Sequence, residues 1–347
     1  MLNIGILGCG RIAQRRHIPE YAANPDCVLA GYFNPTRSRA EEMAAQYGGS
    51  VYDSAEALLA DAGIDAVSVC APNCDHAPLT VRALRAGKHV LCEKPMAGSL
   101  RECEEMVRTA RETGKTLMIA QNQRLTEAHQ LARRLVAEGE IGRVLSFRSN
   151  FCHAGPERWS ITPGPDTWFF DRRRAVLGAM GDLGVHKTDL IQFLLGENIV
   201  RVSAVLATLD KTGPDGGPIG VDDNAVCIYE TAGGAVGTVC ASWTAYAGED
   251  NSTVLYGTAG ELRIYDDPAH ALVLKKPGEA PRCFDVEPIQ TNARQTASGV
   301  IDCFVDCLKE GKASLISGER VLPAMRAVFA AAESAATGRA VDIPANR

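Results

Sequence analysis

The sequence lacks a strong charge of either sign. Its 36 Lys and Arg against 42 Asp and Glu leave a formal net charge of -6. No basic field is there to draw nucleic acid or an anionic membrane surface, so neither is expected as a partner. No apolar run is long enough to cross a bilayer. Met1-Leu2-Asn3 runs straight into a strand without a charged region before it, so no secretory leader is expected. Twelve cysteines are present but no CxxC pair, and 347 residues are too many for a disulfide-stapled scaffold. Cys70, Cys92 and Cys240 sit in apolar strand-like runs, as small hydrophobes. The cysteines read as reduced thiols of a cytoplasmic protein. Cys303 and Cys307 stand at i, i+4 with no further ligands near them, and no metal is expected.

What the chain has is alternation. Asn3–Leu7 is a short apolar strand, and Gly8-Cys9-Gly10-Arg11-Ile12-Ala13 follows at once, opening a helix that runs to about Ala23. G-x-G-x-x-A between a strand and a helix is the dinucleotide fingerprint in its required context. Gly8 allows the tight turn, Gly10 admits a pyrophosphate to the backbone, and Ala13 lets helix pack on strand. The second strand, Val28–Phe33, ends in Asn34, where an acid would hold the ribose hydroxyls. Asn34 does not repel a 2′-phosphate, and Arg37 and Arg39 follow it. NAD and NADP both stay open, with a lean towards NADP being accepted. Strands and helices keep alternating to Thr116–Ala120, which means βαβ units and a parallel sheet.

Ligands of such sheets bind outside the carboxyl ends of the strands. The strand Val90-Leu91-Cys92 runs directly into Glu93-Lys94-Pro95, a charged pair at the end of an apolar run. Such local conflicts mark functional sites. The same rim collects the other cofactor candidates. They are Gly8, Gly10, Arg11, Ile12, Asn34 and Arg37, then Ala71, Pro72, Asn73 and His76, then Glu93 and Lys94. Asn122 and Trp168 follow further along. With 347 residues the chain has room for two domains, and the boundary is placed at residue 121. Residues 1–121 are expected to bind the dinucleotide, and residues 122–347 to bind substrate and carry the oligomer contact.

Beyond the boundary, strand-like runs recur at Arg143–Phe151, Val200–Leu209, Ala225–Glu230, Ala235–Trp243, Thr253–Gly257, Glu261–Tyr265 and Leu272–Lys275. Turn signals between them point to a large, mainly antiparallel sheet. One face of such a sheet can stay apolar and uncovered, so a homo-oligomer through this sheet is expected. In Gly178–Gly196, a glycine turn leads to Asp182, which is expected to open a helix. Asp182 and His186, at i and i+4, then share a face. Trp168-Phe169-Phe170 is a candidate pocket wall, and Arg124 a candidate substrate contact. His153, Trp159 and Tyr246 are weaker candidates.

GCGRIA, APNCDHAPLTVRALRAGKHVLCEKP and GAMGDLGVHKTDLIQFLLG together resemble the Gfo/Idh/MocA family of nicotinamide-dependent oxidoreductases, over essentially the whole chain. The resemblance implies a Rossmann domain followed by an α/β domain with a large open sheet. It also implies a catalytic lysine at Lys94, with an acid and a histidine at Asp182 and His186. Asn34 departs from the acid that many members carry. The expected activity is hydride transfer between NAD or NADP and a secondary alcohol of a sugar, cyclic polyol or glycoside. The substrate-binding set is Lys94, Arg124, Asp182 and His186. Two alternatives stay open: a cofactor-retaining enzyme that works through a transient keto-sugar, and a nucleotide sensor without turnover.

Overall fold

A computed structural model of the protein describes residues 1–287, 297–312 and 314–344. These fall into two compact units, one drawn from Met1–Asn122 and Asn292–Leu322, the other from Gln123–Thr291 and Pro323–Arg347.

The first unit is built on six parallel strands: β1 (Leu2–Leu7), β2 (Cys27–Phe33), β3 (Ser50–Val51), β4 (Ala66–Val69), β5 (His89–Cys92) and β6 (Leu117–Ile119). Their order is β3-β2-β1-β4-β5-β6, so the direction of winding reverses between β1 and β4. A crevice at such a reversal is where open α/β sheets bind ligands. β4 is buried along its whole length, as a strand covered on both faces must be. The connecting helices carry local start and stop signals. Ser99 accepts from the Glu102 amide at 3.3 Å and donates to the Glu102 carboxylate at 3.0 Å, which caps the N-terminus of the helix Leu100–Thr113. Gly114, at φ 64°, ends that helix.

The chain does not divide at one point. A later segment returns to the first unit: the Ile119 amide donates to Ile316 O at 2.9 Å, and Met118 bridges Ser317. Ser298 donates to both carboxylate oxygens of Glu20. A linear reading sees the change of pattern near residue 121, but a return over such a distance has no local signal.

Among the described residues, the second unit holds nine strands: β7 (Val144–Cys152), β8 (Ile199–Ala207), β9 (Asn224–Thr231), β10 (Val236–Ser242), β11 (Thr253–Gly257), β12 (Glu261–Ile264), β13 (Leu272–Lys275), β14 (Arg282–Phe284) and β15 (Val341–Asp342). Their order is β14-β13-β12-β11-β7-β10-β9-β8-β15, and only β7 and β10 pair in parallel. β9 alternates strictly between buried and open residues, so one face lies on the core. Val205, Val226, Ile228 and Val236 are exposed on the other face, where cross-strand pairing joins Val205 to Val226 and Glu230 to Val236.

Candidate active site

Gly8 holds φ at +100°, and a Cβ there would stand 2.7 Å from Cys70 O. Only glycine fits both the angle and the approach. Gly10 differs: the nearest atom to a Cβ there is Cys70 O at 3.9 Å. The bare backbone at Gly10 faces open space, and this is the fit a pyrophosphate requires. Ile12 leads into the helical turn Ala13–His17, with Arg11 half-exposed before it. Asn34 is tied to the loop itself. Its Oδ1 accepts from the Cys9 amide at 3.0 Å, and its Nδ2 donates to Thr36 O at 2.9 Å. Arg37, expected beside a cofactor phosphate, is paired with Glu41 and Asp53 on an exposed surface.

Two strands further along the rim stand Ala71, Pro72, Asn73 and His76. His76 is expected at the cofactor, but its ring is buried and turned to backbone. Nδ1 lies 2.7 Å from Pro95 O, and Nε2 lies 2.9 Å from Ala71 O. Burial pushes its pKa below the ordinary value, against the pull of those carbonyls. Glu93 is buried as well. Its Oε1 accepts from His17 Nε2 at 2.8 Å, and its Oε2 accepts from the Lys94 amide at 3.1 Å. Burial acts to raise the Glu93 pKa. The His17 hydrogen bond and the charges of His17, Lys94 and Arg16 outweigh it and hold the carboxyl at about 2. A fixed carboxylate therefore sits beside Lys94. Asn122 ends the first segment of this unit, at the start of the short turn Asn122–Leu125.

In the second unit Asp182 does not open its helix. It lies within a π-helical turn, Met180–Gly184, that runs into the helix Val185–Leu195. Wide turns of this kind recur at functional sites. The preceding glycine loop is held by Asp222, whose carboxylate accepts from the Gly178 and Met180 amides at 2.8 and 2.7 Å. A Cβ at Gly178 would stand 1.8 Å from Asp222 O, so this residue must be glycine. Asp222 is absent from the sequence-derived set, since its partners lie far away in the chain. Trp243 Nε1 donates to Asp182 Oδ2 at 3.1 Å, and His153 Nε2 stands 4.0 Å from the same oxygen.

Aromatic rings surround this pair. Phe151 lies 5.8 Å from the His186 ring, Trp159 lies 6.2 Å from His153, and Trp168 stacks on Phe169 at 3.9 Å. His153 and Trp159 thus join Asp182 and His186, and Trp168 reaches the same cluster through Phe169 and Trp159. Arg124 is placed differently from its expected substrate role. It is buried, with Nε and Nη2 both donating at 2.6 Å to Asp189. Its neighbour in the helix, Lys187, is fully buried and donates to Asn251 O at 2.9 Å. Burial pushes the Lys187 pKa down to about 7, against the charges of Asp250 and Glu249.

Residues 2–121 match the family model described as oxidoreductase family, NAD-binding Rossmann fold. Residues 129–263 match the GFO/IDH/MocA C-terminal domain. Levoglucosan dehydrogenase from Pseudarthrobacter phenanthrenivorans is 33% identical over 75% of this chain and 73% of its own. Inositol 2-dehydrogenase from Rhizobium meliloti is 28% identical over 99% of each chain. Among solved structures, levoglucosan dehydrogenase in complex with NADH and levoglucosan superposes with a TM-score of 0.87. It has 27% identity and covers 99% of this chain and 100% of that one. With family models matching residues 2–121 and 129–263, the chain belongs to the Gfo/Idh/MocA family of oxidoreductases, with an NAD-binding Rossmann fold.

Proposed function

We propose that this protein moves a hydride between NAD(P) and a secondary alcohol of a sugar, cyclic polyol or glycoside. The observation that carries the reading is Lys94. It stands at the carboxyl end of β5, on the rim that also bears Gly8 and Gly10, with the Glu93 carboxylate on its own amide. The substrate class rests on relatives named levoglucosan dehydrogenase and inositol 2-dehydrogenase. The first unit binds the dinucleotide, through the glycine turn and the rim. The second binds the substrate, and its aromatic cluster offers apolar surface to the C–H face of a ring.

Bound NAD(P) supplies or accepts the hydride. Loss of hydride from an alcohol is matched by loss of its hydroxyl proton. His186 takes that proton, because an imidazole titrates near working pH. Lys94 hydrogen-bonds the reacting oxygen and stabilises developing alkoxide charge. Asp182 orients the substrate or the imidazole. Exchanged roles for Lys94 and His186 fit the same residues.

The test is reduction of NAD and NADP against a panel of levoglucosan, inositols and glucosides. Lys94→Ala should lower kcat by about 10²–10⁴ and leave cofactor affinity nearly intact, and His186→Ala should also lower kcat by about 10²–10⁴. The double variant should lose much less than the product of the two losses. Wild-type kcat in both single variants would end the reading. A second reading keeps the cofactor bound through turnover. It draws support from the similar structure of an aldose–aldose oxidoreductase from Caulobacter crescentus, whose name makes both oxidant and reductant a sugar. Free NAD(P)H accumulating during turnover excludes it.

The exposed valines and isoleucine of β8, β9 and β10 support a homo-oligomer joined through that sheet face. No described helix is long and apolar enough to cross a membrane.

A further inference from the structure

We propose that His17 and His76 are positioning residues for Lys94, each gripping the chain on one side of it. The inference rests on the catalytic reading of Lys94 and concerns only the first unit. On one side, the Glu93 carboxylate bridges His17 and the Lys94 amide, at 2.8 and 3.1 Å. A carboxylate only accepts, so His17 Nε2 donates. Nδ1 of the same ring lies 3.1 Å from Ser68 Oγ, and Ser68 Oγ lies 2.9 Å from Tyr21 OH. Ser68 can therefore donate to the ring and accept from the tyrosine. Three elements meet in this chain of contacts: the helical segment after the glycine turn, β4 and the end of β5. On the other side, His76 Nδ1 lies 2.7 Å from Pro95 O and Nε2 lies 2.9 Å from Ala71 O, and the tautomer with the proton on Nδ1 donates to Pro95 O.

His17, Ser68 and His76 are 3%, 0% and 1% exposed, and Glu93 is 8% exposed. Burying a carboxylate with its hydrogen-bonded partner is a poor way to gain stability, since apolar groups of similar volume do as well or better. What such a pair supplies is a fixed geometry. The residue it fixes is the one whose ammonium must meet a reacting oxygen, where a shift of about 1 Å can cost about 10²-fold in rate.

The design of the test follows from atom positions. In His17→Gln the amide nitrogen stands where Nε2 stood, and in His76→Asn it stands where Nδ1 stood. His17→Leu and His76→Leu fill the volume and donate nothing. The measurements are kcat and KM on the fastest alcohol of the panel, NADH affinity by fluorescence titration, and Tm. The leucine variants should lose about 10–10² in kcat, with KM and NADH affinity within about twofold. The amide variants should recover most of the loss. Wild-type kcat in the leucine variants overturns the proposal. So does an equal loss in leucine and amide variants, or a loss that only tracks Tm and NADH affinity. If a leucine variant does not fold, Glu93→Gln decides: the same order of loss supports the proposal, and wild-type kcat overturns it. Lys94→Ala in the same series separates the two readings. Retained kcat there removes the catalytic lysine and the clamp with it. Lost kcat there, beside active leucine variants, removes only the clamp.

Discussion

Asn34 shows how a single side chain was half legible. Its place at the end of β2 was readable from the strand pattern; its engagement with Cys9 and Thr36 was not. An aspartate would keep the bond from the Cys9 amide and turn the other oxygen against Thr36 O. It would also set a negative charge where a 2′-phosphate arrives. Asn34→Asp should therefore shift preference towards NAD by about 1.5–3 kcal/mol, the worth of a charged hydrogen bond. The ratio of NADP and NAD affinities measures this, and an unmoved ratio places discrimination elsewhere. Lys187 carries a second residue-scale prediction. Its pKa is pushed from 10.5 to about 7 in the folded chain. Between those values the unfolded chain holds a proton that the folded one has lost. Stability from this group is thus full above 10.5 and is lost as pH falls to about 7. Lys187→Met removes the slope, so wild type should gain in Tm relative to this variant from pH 7 to pH 9. Parallel Tm curves would show that the buried amine titrates alike in both states. Nothing near Lys187 in sequence announces its burial, because Asn251 and Asp250 reach it from another element.

The glycine turn is the element most fully written in the sequence, since spacing alone distinguishes its two glycines by role. The structure turns that into separable outcomes. Gly8→Ala meets both a positive φ and the Cys70 carbonyl, so it should destabilise the fold by roughly 1–3 kcal/mol of strain. Gly10→Val points into open space, so it should fold like wild type and lose dinucleotide affinity. Thermal melts and NADH titration of both variants read this directly. Unchanged affinity in folded Gly10→Val would sink the assignment of the turn. Elements with an alternating pattern, such as β9, were legible to within a residue or so. β14 and β15 were not, because strands of three and two residues carry too little pattern and exist through their partners. The π-helical turn at Asp182 was hidden for a related reason. It is fixed by Asp222 and Trp243, which lie on other elements.

At the scale of the whole molecule, the order of strands in both sheets follows from tertiary pairing, and the sequence showed only their kinds. The open face of the second sheet is the exception. Alternation in β9 put Val226 and Ile228 on one side, and they remain 48% and 51% exposed. Val205 and Val236, on the neighbouring strands, extend the patch at 66% and 46%. Four exposed branched side chains on adjoining strands form an apolar surface of the kind that marks an interface. Two copies of such a face cover it, and closed homo-oligomers commonly reuse one patch on both partners. Val226→Lys combined with Ile228→Lys puts two ammonium groups on each copy and desolvates them on association, which is strongly unfavourable. Sedimentation should show wild type as an oligomer at micromolar concentration and the double variant as a monomer. Both side chains point away from the core, so circular dichroism and NADH affinity should stay at wild-type values. A wild-type chain that sediments as a monomer, or a double variant that stays assembled, would mean that this face does not join the subunits.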